Sequence, residues 1–171
     1  MFKGTYRHRL DPKGRLPVPG AFRKALEASG VVHSVVVTLL DECLAAYAPS
    51  EWARLEDQLR GLPAFNRSVK ALTRVLMSRA RDCEIDGQGR IRLPPELRAA
   101  AGVAREAVVV GVLNRFEIWA PEAWDSFLRE SETLLDDATF EVQWPLPPAP
   151  PSGGPPRTPF RDPHPQGKPS R

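Results

Sequence analysis

Arg7, Arg9, Lys13 and Arg15 crowd around one turn, Leu10-Asp11-Pro12-Lys13-Gly14-Arg15-Leu16. Guanidinium groups grip guanine O6 and N7 in pairs, and an ammonium holds phosphate or base, so this cluster has the chemistry of DNA recognition. If Leu10, Leu16 and Val18 face a core, strand alternation turns Arg7, Arg9 and Arg15 outward together, with Lys13 at the tip. A two-stranded ribbon of that kind fits the DNA major groove. The competing reading for Arg15 is a salt bridge to Asp11 inside the turn, and one arginine can serve both ends.

The turn recurs. Residues 85–94 read Ile-Asp-Gly-Gln-Gly-Arg-Ile-Arg-Leu-Pro, and at an offset of 75 Asp11, Gly14, Arg15 and Arg23 answer Asp86, Gly89, Arg90 and Arg98. At an offset of 72, Tyr47-Ala48-Pro49-Ser50-Glu51-Trp52 answers Trp119-Ala120-Pro121-Glu122-Ala123-Trp124. Each aspartate can fold its carboxylate onto backbone N–H groups two residues on, and Gly14 and Gly89 supply the positive φ that closes a short hairpin. Asp11, Gly14, Asp86, Gly89 and Arg90 therefore read as turn-building residues. Asp82, Glu84 and Asp86 surround the second turn and Gln88 replaces its tip lysine, so Arg90 reads as structural or as a subunit contact. Prolines open a helix after each turn strand, and runs rich in β-branched residues follow, Val31-Val32 and Val35–Leu40, then Val108–Leu113 and Phe116–Trp119. Each copy reads strand, turn, strand, helix, strand, turn, strand, helix. Copies this short are too small to be stable alone, so one core built from both is expected.

Met1-Phe2-x-Gly4-x-Tyr6-x-His8-x-Leu10-Asp11-x-Lys13-Gly14-Arg15-Leu16, with Asn114-Arg115-Phe116-Glu117-Ile118-Trp119 ahead of a Pro and a Trp, resembles the MraZ family, over roughly residues 1–140. The resemblance implies tandem AbrB-like (SpoVT-AbrB) repeats in an α+β fold. The two would form one pseudo-two-fold swapped-hairpin β-barrel with flanking helices. It also implies ring-shaped cytoplasmic, nucleoid-associated homo-oligomers that regulate transcription at operator repeats ahead of cell-division and cell-wall genes. Its domain plan is repeat 1 over 5–52, connecting helices over 53–80, repeat 2 over 81–124 and a C-terminal helix over 125–144. Arg7 and Arg9 depart from the family pattern, where less basic residues are expected.

Residues 145–171 hold 11 of the 19 prolines and no aliphatic cluster, so a disordered, Pro-rich tail outside the family pattern is expected there. The formal net charge of +3 is all in that tail. Within residues 1–144 the charge is sorted, with +6 over residues 1–24, +5 over 66–81 and −7 over 82–144. A basic pole of this kind attracts phosphate in a salt-sensitive way. Arg67, Lys70, Arg74 and Arg79 ride a helix whose Phe65, Val69, Leu72 and Leu76 read as its buried stripe, so their charge reads equally well as a solvated face or as part of that pole.

Other chemistries find little support. No N-terminal signal-like stretch or membrane-length apolar run occurs. Cys43 and Cys83 read as reduced core thiols, and His8, His33 and His164 lack the spacing of a metal cluster or a partnered nucleophile. Asp82-x-Glu84-x-Asp86-Gly87 imitates the start of a calcium loop, but its twelfth position is Leu93 rather than Glu. No cofactor, no metal, no small-molecule substrate and no catalysis are expected. The expected partner is double-stranded DNA. An antitoxin-type interaction module is the alternative, but the tail is poor in the large apolar residues such a module would fold onto a partner.

Overall fold

The computed structural model describes residues 1–30 and 33–141, so Val31-Val32 and the expected tail, 145–171, lie outside the described residues. One compact unit spans Met1–Glu132 and carries every feature considered below. A second begins at Thr133, and its described residues are the end of the last helix.

The first repeat runs β1 (Phe2–Arg9), β2 (Arg15–Pro17), α1 (Gly20–Ala28), β3 (Ser34–Leu40), β4 (Cys43–Tyr47) and α2 (Pro49–Arg60). After α3 (Arg67–Arg79) the order repeats as β5 (Arg81–Glu84), β6 (Arg90–Arg92), α4 (Pro95–Ala100), β7 (Glu106–Leu113), β8 (Arg115–Trp119) and α5 (Pro121–Glu141). Proline sets the helix starts, Pro19 and Pro94 as N-caps and Pro49 and Pro95 in the first turn. Asn66 caps α3 through its side chain, accepting from Ser68 N at 2.8 Å and Val69 N at 3.3 Å.

The repeats are woven together. A six-stranded antiparallel sheet has the order β1-β7-β8-β4-β3-β5, and β2 pairs β6 in a separate two-stranded ribbon. Thus, among the described residues, β1 of the first repeat pairs only β7 of the second, and β5 of the second pairs only β3 of the first. The expected hairpin between β1 and β2 needs correcting. Beyond the bonds that close each turn at its base, these strands part and find partners in the other repeat, so each hairpin is exchanged.

A shared core binds sheet to ribbon. Leu16, Val18, Phe22, Ile91, Leu93 and Leu97 from the two turn segments pack with Val35, Val37, Val109, Phe116 and Ile118 of the sheet. Phe2, Phe22 and Phe116 meet edge to face or tilted, with centroids 5.4–5.6 Å apart. Cys43 and Cys83 are free and buried, and burial raises both thiols, Cys83 to about 11. No helix among the described residues is long and apolar enough to cross a membrane.

The stripe expected on α3 is only partly buried. Leu76 packs against Val36, Tyr47 and Trp52, but Phe65 is 93% and Leu72 50% exposed. The helix touches the sheet along one edge, with the Leu76 carbonyl accepting from Thr38 Oγ1 at 3.0 Å. Met77 joins that cluster and Val69 is half-buried, while Leu72 and Val75 are left uncovered.

Candidate nucleic-acid interface

The two Asp-x-x-Gly-Arg turns are near copies in space as well as in sequence. Asp11 Oδ1 accepts from Lys13 N and Arg15 N, each at 2.9 Å, and Asp11 Oδ2 accepts from Arg15 Nε at 2.5 Å. Asp86 Oδ1 accepts from Gln88 N and Arg90 N at 3.0 Å, and its Oδ2 takes Arg90 Nε at 2.9 Å and an Arg90 terminal nitrogen at 2.8 Å. Gly14 and Gly89 close the turns at φ of 74° and 73°, a left-handed conformation that a Cβ would strain. Hydrogen bonds from Arg90 hold the Asp86 carboxyl at about 2, and those from the Arg15 backbone lead in lowering Asp11.

The turns meet at the ribbon. In the β2–β6 register Arg15 stands opposite Arg92, Leu16 opposite Ile91 and Pro17 opposite Arg90. Leu16 and Ile91 point into the core, so alternation puts Arg15, Arg90 and Arg92 together on the outer face. Two second contacts cross the repeats, Arg15 to Asp86 at 4.0 Å and Arg90 to Asp11 at 3.7 Å. Val18 N donates to Gly89 O at 2.9 Å and Leu93 N to Gly14 O at 3.1 Å, pinning each turn to the opposite strand. A two-stranded, arginine-faced ribbon therefore exists, but it is built between the repeats rather than within the first.

The four basic residues singled out from the sequence are not gathered on that ribbon. Arg15 is on it, half-buried and tied to Asp11. Lys13 is exposed beside it at the turn and makes no ion pair among the described residues. Arg7 and Arg9 lie on β1, at the edge of the large sheet, and both are already engaged by the second repeat. Arg7 reaches Asp125 of α5 at 2.6 Å, and Arg9 reaches Glu106 of β7 at 2.9 Å. The basic pole of the first repeat is thus partly neutralised by the acidic second repeat.

Arg92, Arg23 and Arg98 were not assigned to the site from the sequence. Arg92 is exposed and directly opposite Arg15, and alternation from Arg90 was the available signal. Arg23 and Arg98, matched at the repeat offset, reach from α1 and α4 onto the turn of the other repeat, where Arg23 donates to Gln88 O at 3.2 Å. Among the described residues no group of three or more His, Cys, Asp or Glu is placed to hold a metal ion.

Comparison with known proteins follows the same two-fold division. The sequence model described as "MraZ protein, putative antitoxin-like" matches residues 1–75 and again residues 76–142. The chain belongs to the MraZ family. It is 46% identical over 137 residues to a protein of Ligilactobacillus salivarius named Transcriptional regulator MraZ, covering 80% of this chain and 93% of that protein. A relative of the same name from Natranaerobius thermophilus is 40% identical over 142 residues, covering 83% of this chain and 96% of its own length. A third MraZ, from Alkaliphilus metalliredigens, is 42% identical over 143 residues, 84% of this chain and 97% of that protein.

Proposed function

We propose that this chain is a sequence-specific DNA-binding transcriptional regulator that acts by binding rather than catalysis. It reads operator repeats upstream of the cell-division and cell-wall gene cluster, its own promoter included. The observation that carries this is the β2–β6 ribbon, where Arg15, Arg90 and Arg92 share an outer face held by Asp11 and Asp86. A ribbon is narrow enough to enter the major groove, and a guanidinium already fixed by a carboxylate presents its free nitrogens without further ordering. Arg15 and Arg92 read base edges, Lys13 meets phosphate, and Arg7 and Arg9 add backbone contacts along the flank. Arg90, the least exposed of the three ribbon arginines, holds its turn. The six-stranded sheet and the ribbon, which share one core, act together as a swapped-hairpin barrel.

The active form is a homo-oligomeric ring at the nucleoid. Exposed Leu72 and Val75 on α3, with exposed Phe65 just before it, lie among Arg67, Lys70 and Arg74, while exposed Phe127 and Leu128 on α5 lie among Glu122, Asp125, Arg129, Glu130 and Glu132, an acidic majority. Two apolar faces of opposite charge favour head-to-tail contact between copies, which closes into a ring when the rotation allows. Only monomer in sedimentation at moderate salt and micromolar concentration would refute this part.

The test is titration of the DNA upstream of the chain's own gene, and of a scrambled duplex, at two salt concentrations. Arg15→Ala and Arg92→Ala should each remove discrimination of about 1–3 kcal/mol per engaged repeat. Lys13→Ala should weaken both duplexes alike and flatten the salt dependence by about one unit of slope. Arg90→Ala should keep its DNA contacts and lose stability instead. Operator binding by Arg15→Ala equal to that of the unaltered chain would overturn the reading.

A further inference from the structure

We infer that Glu106 and Asp125 are specificity-determining residues: they occupy the Arg9 and Arg7 guanidiniums and keep them from indiscriminate contact with phosphate. The inference rests on the DNA reading proposed above. Both carboxylates come from the second repeat, Glu106 as the register partner of Arg9 on β7 and Asp125 from α5. The pairs are open to solvent, with side-chain exposures of 59% and 44% for Arg7 and Asp125 and 85% and 51% for Arg9 and Glu106. Exposed pairs of this kind add little to stability. They are not needed to attach β1 either, because the strand is held by its full ladder to β7 from Phe2 to Arg9 and by the burial of Phe2. What the pairs do change is the field in front of β1.

Non-specific affinity follows the number of cations free to replace counterions on the phosphate backbone. With Arg7 and Arg9 engaged, a random duplex meets two ion pairs of no net charge where it would otherwise meet two free guanidiniums. Lys13, beside the ribbon, is exposed and makes no ion pair among the described residues, and it supplies the initial attraction. A duplex that seats the ribbon in its groove is held long enough for its phosphates to displace Glu106 and Asp125. One that does not seat it gains nothing to offset the displacement. Specificity is a difference of affinities, and this arrangement lowers the wrong one.

The experiment compares the unaltered full chain with Glu106→Gln/Asp125→Asn on own-promoter and scrambled duplexes over a salt series, with melting temperatures checked. Scrambled duplex should bind about tenfold tighter at low salt, with a log–log salt slope steeper by about two. Own-promoter DNA should gain less, so discrimination falls. Adding Arg7→Ala/Arg9→Ala to that variant should return the slope to its starting value. Glu42→Gln/Asp57→Asn carries the same change in net charge and removes the Asp57 partner of Arg60 on α2, which stays paired with Glu56. It should not reproduce the effect. The inference is overturned if scrambled binding and slope stay unchanged in Glu106→Gln/Asp125→Asn while Arg15→Ala still loses the operator, or if the control matches its gain. If Arg15→Ala binds own-promoter DNA as the unaltered chain does, the DNA reading has failed and the inference falls with it.

Discussion

Arg98 of the second repeat lies against Gly14 of the first: a Cβ on Gly14 would stand 2.9 Å from the Arg98 Cζ and 3.0 Å from a terminal nitrogen. The relationship is reciprocal, and tighter on the other side, where a Cβ on Gly89 would stand 2.0 Å from an Arg23 terminal nitrogen and 2.6 Å from its Cδ. Each turn is thus roofed by an arginine of the other repeat, whose side chain would have to shift before a Cβ fitted beneath it. The buried Arg98 Nε has no hydrogen-bond partner, so this arginine is held by packing of its plane rather than by that donor.

Gly14→Ala should therefore destabilise the fold by about 1–2 kcal/mol for the left-handed backbone alone, with a further increment for shifting Arg98. Gly89→Ala should be worse, since Arg23 must move further. Urea denaturation of both, and of Gly14→Ala/Arg98→Ala, checks the assignment. The double variant should recover the packing part and keep the backbone part, so the two changes should not add. Strict additivity would show that Arg98 does not rest on the turn.

The turn carboxylates give the protein a pH signature. Asp86 is held at about 2 by hydrogen bonds from Arg90, against an ordinary value of 3.8, and Asp11 is shifted the same way. A carboxylate lowered by folding stabilises the native state fully above its unfolded value. That contribution is lost as pH falls toward the folded value. Asp86→Asn should thus be less stable than the unaltered chain at neutral pH, and the gap should narrow between about pH 4 and pH 2. Denaturation midpoints at intervals from pH 6 to pH 2 measure it, and a gap constant across that range would contradict the assignment.

Local chemistry was legible in the residues themselves, while strand partnership was not and came only from the family resemblance, as swapped hairpins. Asp-x-x-Gly-Arg encodes its own hydrogen bonds, so the doubled turn, the order of elements and the inward Leu16 and Ile91 could be read directly. The strand after Gly14 alternates in the same way whether it pairs β1 or β6, because side-chain period says which face is buried and nothing about the neighbour. That is why the ribbon was expected in the wrong place and Arg92 was missed. Likewise Phe65, Val69, Leu72 and Leu76 do repeat at helical spacing, but spacing marks an apolar face without saying what covers it. The partners of Arg7 and Arg9 lie 118 and 97 residues away, beyond any local pattern.

The ladder that holds β1 on β7 includes one close approach of backbone to backbone. Gly111 of β7 stands opposite Gly4 of β1, and a Cβ there would lie 2.3 Å from Lys3 N and 2.5 Å from the Phe2 carbonyl carbon. These are backbone atoms of a paired strand and cannot turn aside as a side chain can. Gly111→Ala should force β1 off β7 near Phe2, and the Phe2 ring would leave its seat between Phe22 and Phe116. Loss of that ring alone is worth about 3–5 kcal/mol, which compares with the whole stability of a domain this size. Because β1 lies at the sheet edge with β7 as its only partner among the described residues, the damage should begin there. Hydrogen exchange should show the β1 amides unprotected in Gly111→Ala while β4 and β8 remain protected, or the chain should fail to fold. Gly4→Ala is the comparison: φ there is 97°, yet the nearest atoms to its Cβ belong to the Tyr6 ring at 3.4 Å, so it should show backbone strain of about 1–2 kcal/mol and a retained β1. A Gly111→Ala chain with β1 still protected would mean that the two repeats are not joined through this contact.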